Sequence, residues 1–155
     1  MSGRAWAVPF AVLAGLGALA SVCLHVVSLA GIWTPTVFEL AVAAFVGVFV
    51  VWMPAFLAAE RMVRGSRWRE AWKRAMRGAP RWMRLLALWM LVYALVVFSG
   101  FGLWRLSTGR AAGEVAQFRL LTAYAAAFHA LAFSALYSYL NFDDSDAGAG
   151  AGKRL

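Results

Sequence analysis

The chain has 155 residues, 63% of them hydrophobic and only 14% charged, with a mean hydropathy of +0.71. Soluble domains carry roughly 45–50% apolar and about 25% charged residues, so this composition excludes a single water-soluble core and fits about four membrane spans of roughly 20 residues in one domain. The net charge of +8 would suggest nucleic acid in a soluble protein, whereas here its placement carries a topological meaning; the lone Cys23, set in an apolar run, excludes an intramolecular disulfide and reads as a packing residue.

Residues 5–32 contain no Lys, Arg, Asp or Glu. A secretory signal has an apolar core of about 7–15 residues, so this longer run predicts a retained first span. Its helix should begin near Ala7 or Val8, leaving Pro9 in the first turn, where a missing N–H costs little. Ala11, Ala14, Ala18, Ser21, His25 and Ser28 recur at three- and four-residue spacing, a face of small residues that lets a neighbouring helix approach. Ile32 to Thr36 reads as a tight uncharged turn, with Trp33 at aromatic-belt depth. A second span follows over 37–59, with Glu39 near its start, a kink expected at Pro54, and Ala43, Ala44 and Gly47 as a close-packing face.

Glu60 to Arg84 is the only long polar segment, and it holds nine of the fifteen Lys and Arg residues. In the connection 60–82, Trp68, Trp72 and Met76 follow at four-residue spacing with basic residues on the other faces. That is the pattern of an amphipathic helix in the headgroup region, ended by Gly78 and Pro80. Basic residues interleaved with tryptophan also fit nucleic acid, but tryptophan beside membrane-flanking arginine reads as interfacial anchoring. The expected partners are therefore the bilayer and its anionic headgroups rather than nucleic acid. The expected contact surface is Arg64, Arg67, Trp68, Arg69, Trp72, Lys73, Arg74, Arg77, Arg81 and Trp82.

A third span is predicted over 83–104, its last turn loosened by Gly100 and Gly102. Arg105 to Arg119 reads as a second polar connection. The fourth span, 120–140, carries Thr122, Tyr124, His129, Ser134, Tyr137 and Tyr139. Residues 141–155, acidic and then Gly/Ala-repetitive, lack the composition for a core and are expected to be a flexible tail. With four spans, Arg4, the nine basic residues of the central segment, Lys153 and Arg154 share one side, leaving Arg105, Arg110 and Arg119 on the other. The positive-inside rule then places both termini and the basic segment in the cytoplasm of a bacterial inner membrane.

Three ionisable side chains, His25, Glu39 and His129, fall inside spans, where such groups default to functional candidates. His25 and Glu39 are near enough to the predicted hairpin to meet across it, and His129 is expected near the midplane. Two histidines suggest bis-His haem b, and His with Glu suggests a metal or proton site. The plainer alternative is that His25 bonds a neighbouring helix and Glu39 reaches the interface. No G-x-S-x-G, P-loop, G-x-G-x-x-G or H-E-x-x-H motif occurs, and Asp143, Asp144 and Asp146 lack the spacing of an EF-hand. No catalytic residue and no resident cofactor are expected.

The run Arg77 to Arg84, R-G-A-P-R-W-M-R, with the L-L-A-L-W-M that follows, resembles a loop-to-helix segment of small four-span bacterial inner-membrane proteins. The resemblance implies the four-span architecture and carries no activity. The expectation is an all-α integral membrane four-helix bundle over 1–140 with a cytoplasmic amphipathic interfacial helix. The expected role is a non-enzymatic accessory or interaction subunit of a membrane complex, or a homo-oligomer. The alternatives are an oligomeric transporter or channel using His25, Glu39 and His129, and a haem- or metal-binding redox protein.

Overall fold

The computed structural model describes residues 4–64, 68–108 and 113–142, with backbone only at 68 and 69. These residues form α1 (Ala7–Leu29), α2 (Pro35–Val63), α3 (Trp68–Ala75), α4 (Arg81–Thr108) and α5 (Glu114–Leu140), with no strand among them. Four helices, α1, α2, α4 and α5, are each long and apolar enough to cross a membrane. Their outward surface is aliphatic and aromatic, with Leu16, Leu19, Phe49, Met53, Trp89, Val96 and Leu103 all exposed. A water-soluble monomer rarely shows an apolar exterior on this scale, and a multi-pass membrane protein requires one.

The α1–α2 hairpin is encoded locally. Gly31 takes a positive φ of 75°, and the N–H groups of Gly31 and Ile32 donate to the carbonyls of Ser28 and Val27, both at 3.2 Å. This paired closure satisfies the last carbonyls of α1 and needs a residue without Cβ at the left-handed position. Thr34 then caps α2, its Oγ1 accepting from Val37 N–H at 3.2 Å, with Pro35 in the first turn. The predicted turn therefore ends two residues early, because Pro35 is preorganised for a helix start.

The other helices also outrun their predicted bounds. α2 continues through Glu60 to Val63, α4 continues through Arg105 to Thr108, and α5 starts at Glu114 rather than near 120. A charged residue marks where the apolar stretch ends, whereas a helix satisfies its own backbone and runs on into the headgroup layer. For the same reason Gly100 and Gly102 do not loosen an end; both lie inside α4. Pro54 lies inside one unbroken α2. The tail from 143 onward lies outside the described residues.

The layout is centred on α5, which packs against α1, α2 and α4, while among the described helices α4 packs its backbone closely against α5 alone and reaches α1 through the Tyr93 side chain. The reason is side-chain size. α5 buries Ala123, Ala125, Ala126, Ala127, Ala132 and Ala135 together with Thr122, Ser134 and Ser138, so three backbones can approach it closely. The α1 face is the predicted one, with Ala11, Ala14, Ser21, His25 and Ser28 buried and Ala18 half-buried. The α2 face is only partly so: Ala43 is exposed, Ala44 and Gly47 are half-buried, and the buried side is Ala41, Val48, Val51, Ala55, Ala58 and Met62.

At one end of the bundle Arg4 and Trp6, the foot of α5 and the basic connection meet. Arg4 donates to the Phe142 carbonyl. Arg61 donates to the Tyr139 hydroxyl at 3.1 Å and lies over the Trp6 ring. Gly78 N–H donates to Ser138 Oγ at 2.9 Å, and a Cβ at Gly78 would strike the Ser138 carbonyl. Met76 and Ala79 are buried beside this contact. The basic segment is thus tied at its C-terminal end to the foot of α5.

Candidate functional site

The three ionisable candidates fall in three different environments. His25 sits on the buried face of α1, where Nδ1 is 2.9 Å from Thr122 Oγ1 on α5 and Nε2 is 2.7 Å from the Tyr93 hydroxyl on α4. Thr122 directs its single hydroxyl proton to carbonyls of its own helix, Phe118 at 2.9 Å and Arg119 at 3.1 Å. Its oxygen is therefore the acceptor for His25 Nδ1–H, which leaves Nε2 to accept from Tyr93 O–H. The chain Tyr93, His25, Thr122, Phe118 links three helices through one imidazole. Next to it, Ser28 Oγ donates to the His25 carbonyl at 2.6 Å, and Arg119 Nε donates to the Ser28 carbonyl at 3.2 Å.

With both nitrogens engaged, His25 has no lone pair to offer a metal or haem iron while this network stands. Glu39 is exposed near the start of α2, and the structure does not bring it to His25. The meeting across the hairpin fails because His25 turns toward α5 and α4. Among the described residues no group of three or more His, Cys, Asp or Glu side chains forms a metal cluster.

His129 is different. Its Nδ1–H donates to the Ala125 carbonyl at 2.8 Å, one turn earlier in α5. Its ring edge fits between two glycines on the neighbouring helices. A Cβ at Gly17 of α1 would lie 2.3 Å from Cδ2 and 2.4 Å from Nε2, and one at Gly47 of α2 would lie 3.6 Å from Nε2. Gly17 is therefore required by the imidazole, and Gly47 is the one member of the predicted α2 packing face that adjoins a candidate side chain.

Two clefts flank α4. Between α1 and α4, cavities of about 340 and 430 Å³ share Val22, Leu86, Met90 and Ala126, and His25 and Tyr93 line the second. Between α2 and α4, a cavity of about 420 Å³ is lined by Phe45, Phe101, Arg105, Gln117 and Tyr124. His25, Glu39 and His129 line no common cavity among those described.

In the basic segment, Trp72, Lys73, Arg74, Arg77, Arg81 and Trp82 are exposed, while Met76 is buried, so the predicted Trp72–Met76 stripe splits between outside and inside. Arg64 is exposed and pairs loosely with Glu60 at 3.8 Å. Arg67 and the side chains of Trp68 and Arg69 lie outside the described residues. Sequence reasoning missed Tyr93, Arg119 and Gly17. A tyrosine in the middle of an apolar span was the available signal for the first, since its hydroxyl needs a partner there.

No family model matches the chain, and no curated protein or solved structure matches it.

Proposed function

We propose that the protein is an accessory or interaction subunit of a bacterial inner-membrane assembly, docking other helices against α4. The observation that carries this reading is that α4 packs its backbone closely against α5 alone among the described helices, with Tyr93 reaching across to His25 of α1, so apolar clefts lie open on both its sides. Helix association in lipid relies on close packing and on satisfying polar groups. An apolar helix with two open flanks offers partner helices room to do both. Exposed Lys73, Arg74, Arg77 and Arg81 at the foot of the bundle add attraction for anionic headgroups, about 1 kcal/mol for each residue near the surface. In this reading both termini face the cytoplasm, on the side carrying twelve of the fifteen basic residues.

Site-directed crosslinking in native membranes tests it. Cysteine placed at Trp89 or Val96, in a Cys23→Ala background, should give one discrete crosslinked species. A second chain of the same protein or a different membrane protein would each fit docking at α4. Recovery of monomer alone at both positions, with a bifunctional reagent shown to react there, would end the reading. Labelling of a cysteine at position 74 only from the periplasmic side would reverse the orientation.

A further inference from the structure

We propose that the groove between α1 and α2 binds a neutral, lipid-soluble molecule carrying an O–H group, with His129 Nε2 accepting its hydrogen bond. His129 is only 3% exposed. Its Nδ1 faces a carbonyl, which supplies no proton, so Nδ1 carries the ring hydrogen and Nε2 is left as a bare acceptor. No donor among the described residues is bonded to Nε2. That atom lies between Gly17 and Gly47, at the floor of a groove of about 420 Å³ that opens outward between Leu13 and Leu16 on one side and Val50 on the other.

The position is close to the middle of α5, so in a bilayer water is scarce and an unsatisfied acceptor is costly. A hydroxyl on a lipid-borne molecule can reach it laterally and supply the missing proton. The lining selects against a cation, which would find one nitrogen and otherwise only aliphatic walls and glycine. A carbonyl is rejected as well, since two acceptors cannot bond. The chemistry that fits is a phenol or an alcohol on an apolar body.

The test uses the full chain in lipid nanodiscs with 4-decylphenol as probe and its methyl ether, 4-decylanisole, as control. Histidine-selective 15N labelling reports on Nε2 directly, and the Gly17 and Gly47 amides report on groove occupancy. 4-Decylphenol should move the His129 Nε2 resonance toward its hydrogen-bonded position in a saturable way. 4-Decylanisole should occupy the groove about tenfold more weakly. His129→Phe should abolish the preference for phenol over ether at the glycine amides. Gly47→Leu should abolish the response to both, with the His25 resonances unchanged as proof of fold.

An unmoved His129 resonance, or phenol and ether binding equally in the wild type, would overturn the proposal. So would a resonance that shifts with protein-to-lipid ratio and not with probe, which would put a second copy of the chain there. A Soret band in the purified protein that disappears in His129→Phe would assign the nitrogen to iron and overturn it too.

Discussion

α4 and α5 are similar in length and both apolar enough to cross a membrane, yet 61% of the apolar window of α5 is buried and 11% of that of α4. The difference is not hydrophobicity, which gains nothing when lipid is the alternative to protein. It lies in the size and polarity of the side chains. α5 has alanines along its buried faces, and its Thr122 and Ser138 hydroxyls accept from the His25 side chain and the Gly78 N–H. α4 presents Leu, Val, Trp and Phe, which keep other backbones away, and a single tyrosine that reaches His25. A helix becomes the hub of a membrane bundle by being small and slightly polar.

The sharpest way to break that contrast is to enlarge one side chain on each helix to leucine. Ala132 on α5 is fully buried, whereas Val96 on α4 is 63% exposed. Ala132→Leu should destabilise the bundle by about 3 kcal/mol or more, because overpacking a close helix contact displaces backbone. Val96→Leu should change stability by less than about 0.5 kcal/mol. Unfolding in mixed micelles measures both, and equal effects would remove α5 from its central role.

Next in size is the contact that fits the imidazole into its slot. Gly17→Ala puts a methyl group 2.3 Å from the His129 ring, and should cost about 1–3 kcal/mol. Much of that loss should return in the double variant Gly17→Ala/His129→Ala, since the clash needs both partners. Simple addition of the two single losses would show that the glycine serves something other than the histidine.

The hydrogen-bonded chain at His25 gives a graded pair. Thr122→Val strips the acceptor from His25 Nδ1–H, leaving a buried donor unpaired, at about 1–2 kcal/mol. Tyr93→Phe removes a donor near the cleft and leaves Nε2 free, at about 0.5–1 kcal/mol. Because α4 packs closely against α5 alone among the described helices and Tyr93 is its hydrogen-bonded link to α1, Tyr93→Phe should also widen the distance distribution between spin labels on α1 and α4. An unchanged distribution would mean that α5 alone positions α4.

How much of this was open to sequence reasoning depended on contrast. The buried face of α1 was readable because small and polar residues stand out at helical spacing, and Ala11, Ala14, Ser21, His25 and Ser28 are indeed inside. On α2 almost every position is apolar, so Ala43 looked as good as Ala41, and only packing against α5 separates them. Helix ends were hidden because charge marks the edge of the apolar layer and not the end of the helix. His25 and His129 stood out as ionisable groups, yet their different states did not. Those depend on which residues of other helices, Tyr93 and Thr122 or Gly17 and Gly47, arrive beside them.

The smallest expected effect on the isolated chain is also the one most telling for function. Trp89 is 70% exposed on α4 and borders the α1–α4 cleft. Trp89→Ala removes little intramolecular packing, so stability should move by no more than about 0.5 kcal/mol. At a docking face the same indole would be an anchor, and truncating an anchor typically costs about 2 kcal/mol or more of association. Stability in micelles and recovery of the crosslinked species in membranes should therefore separate: the first nearly unchanged, the second reduced more than tenfold. If both stayed constant, α4 would be a lipid-facing helix and the partner surface would have to lie elsewhere. If both fell together, Trp89 would be holding α4 to α5, and the contrast between a buried hub and an open flank would be weaker than its exposure suggests.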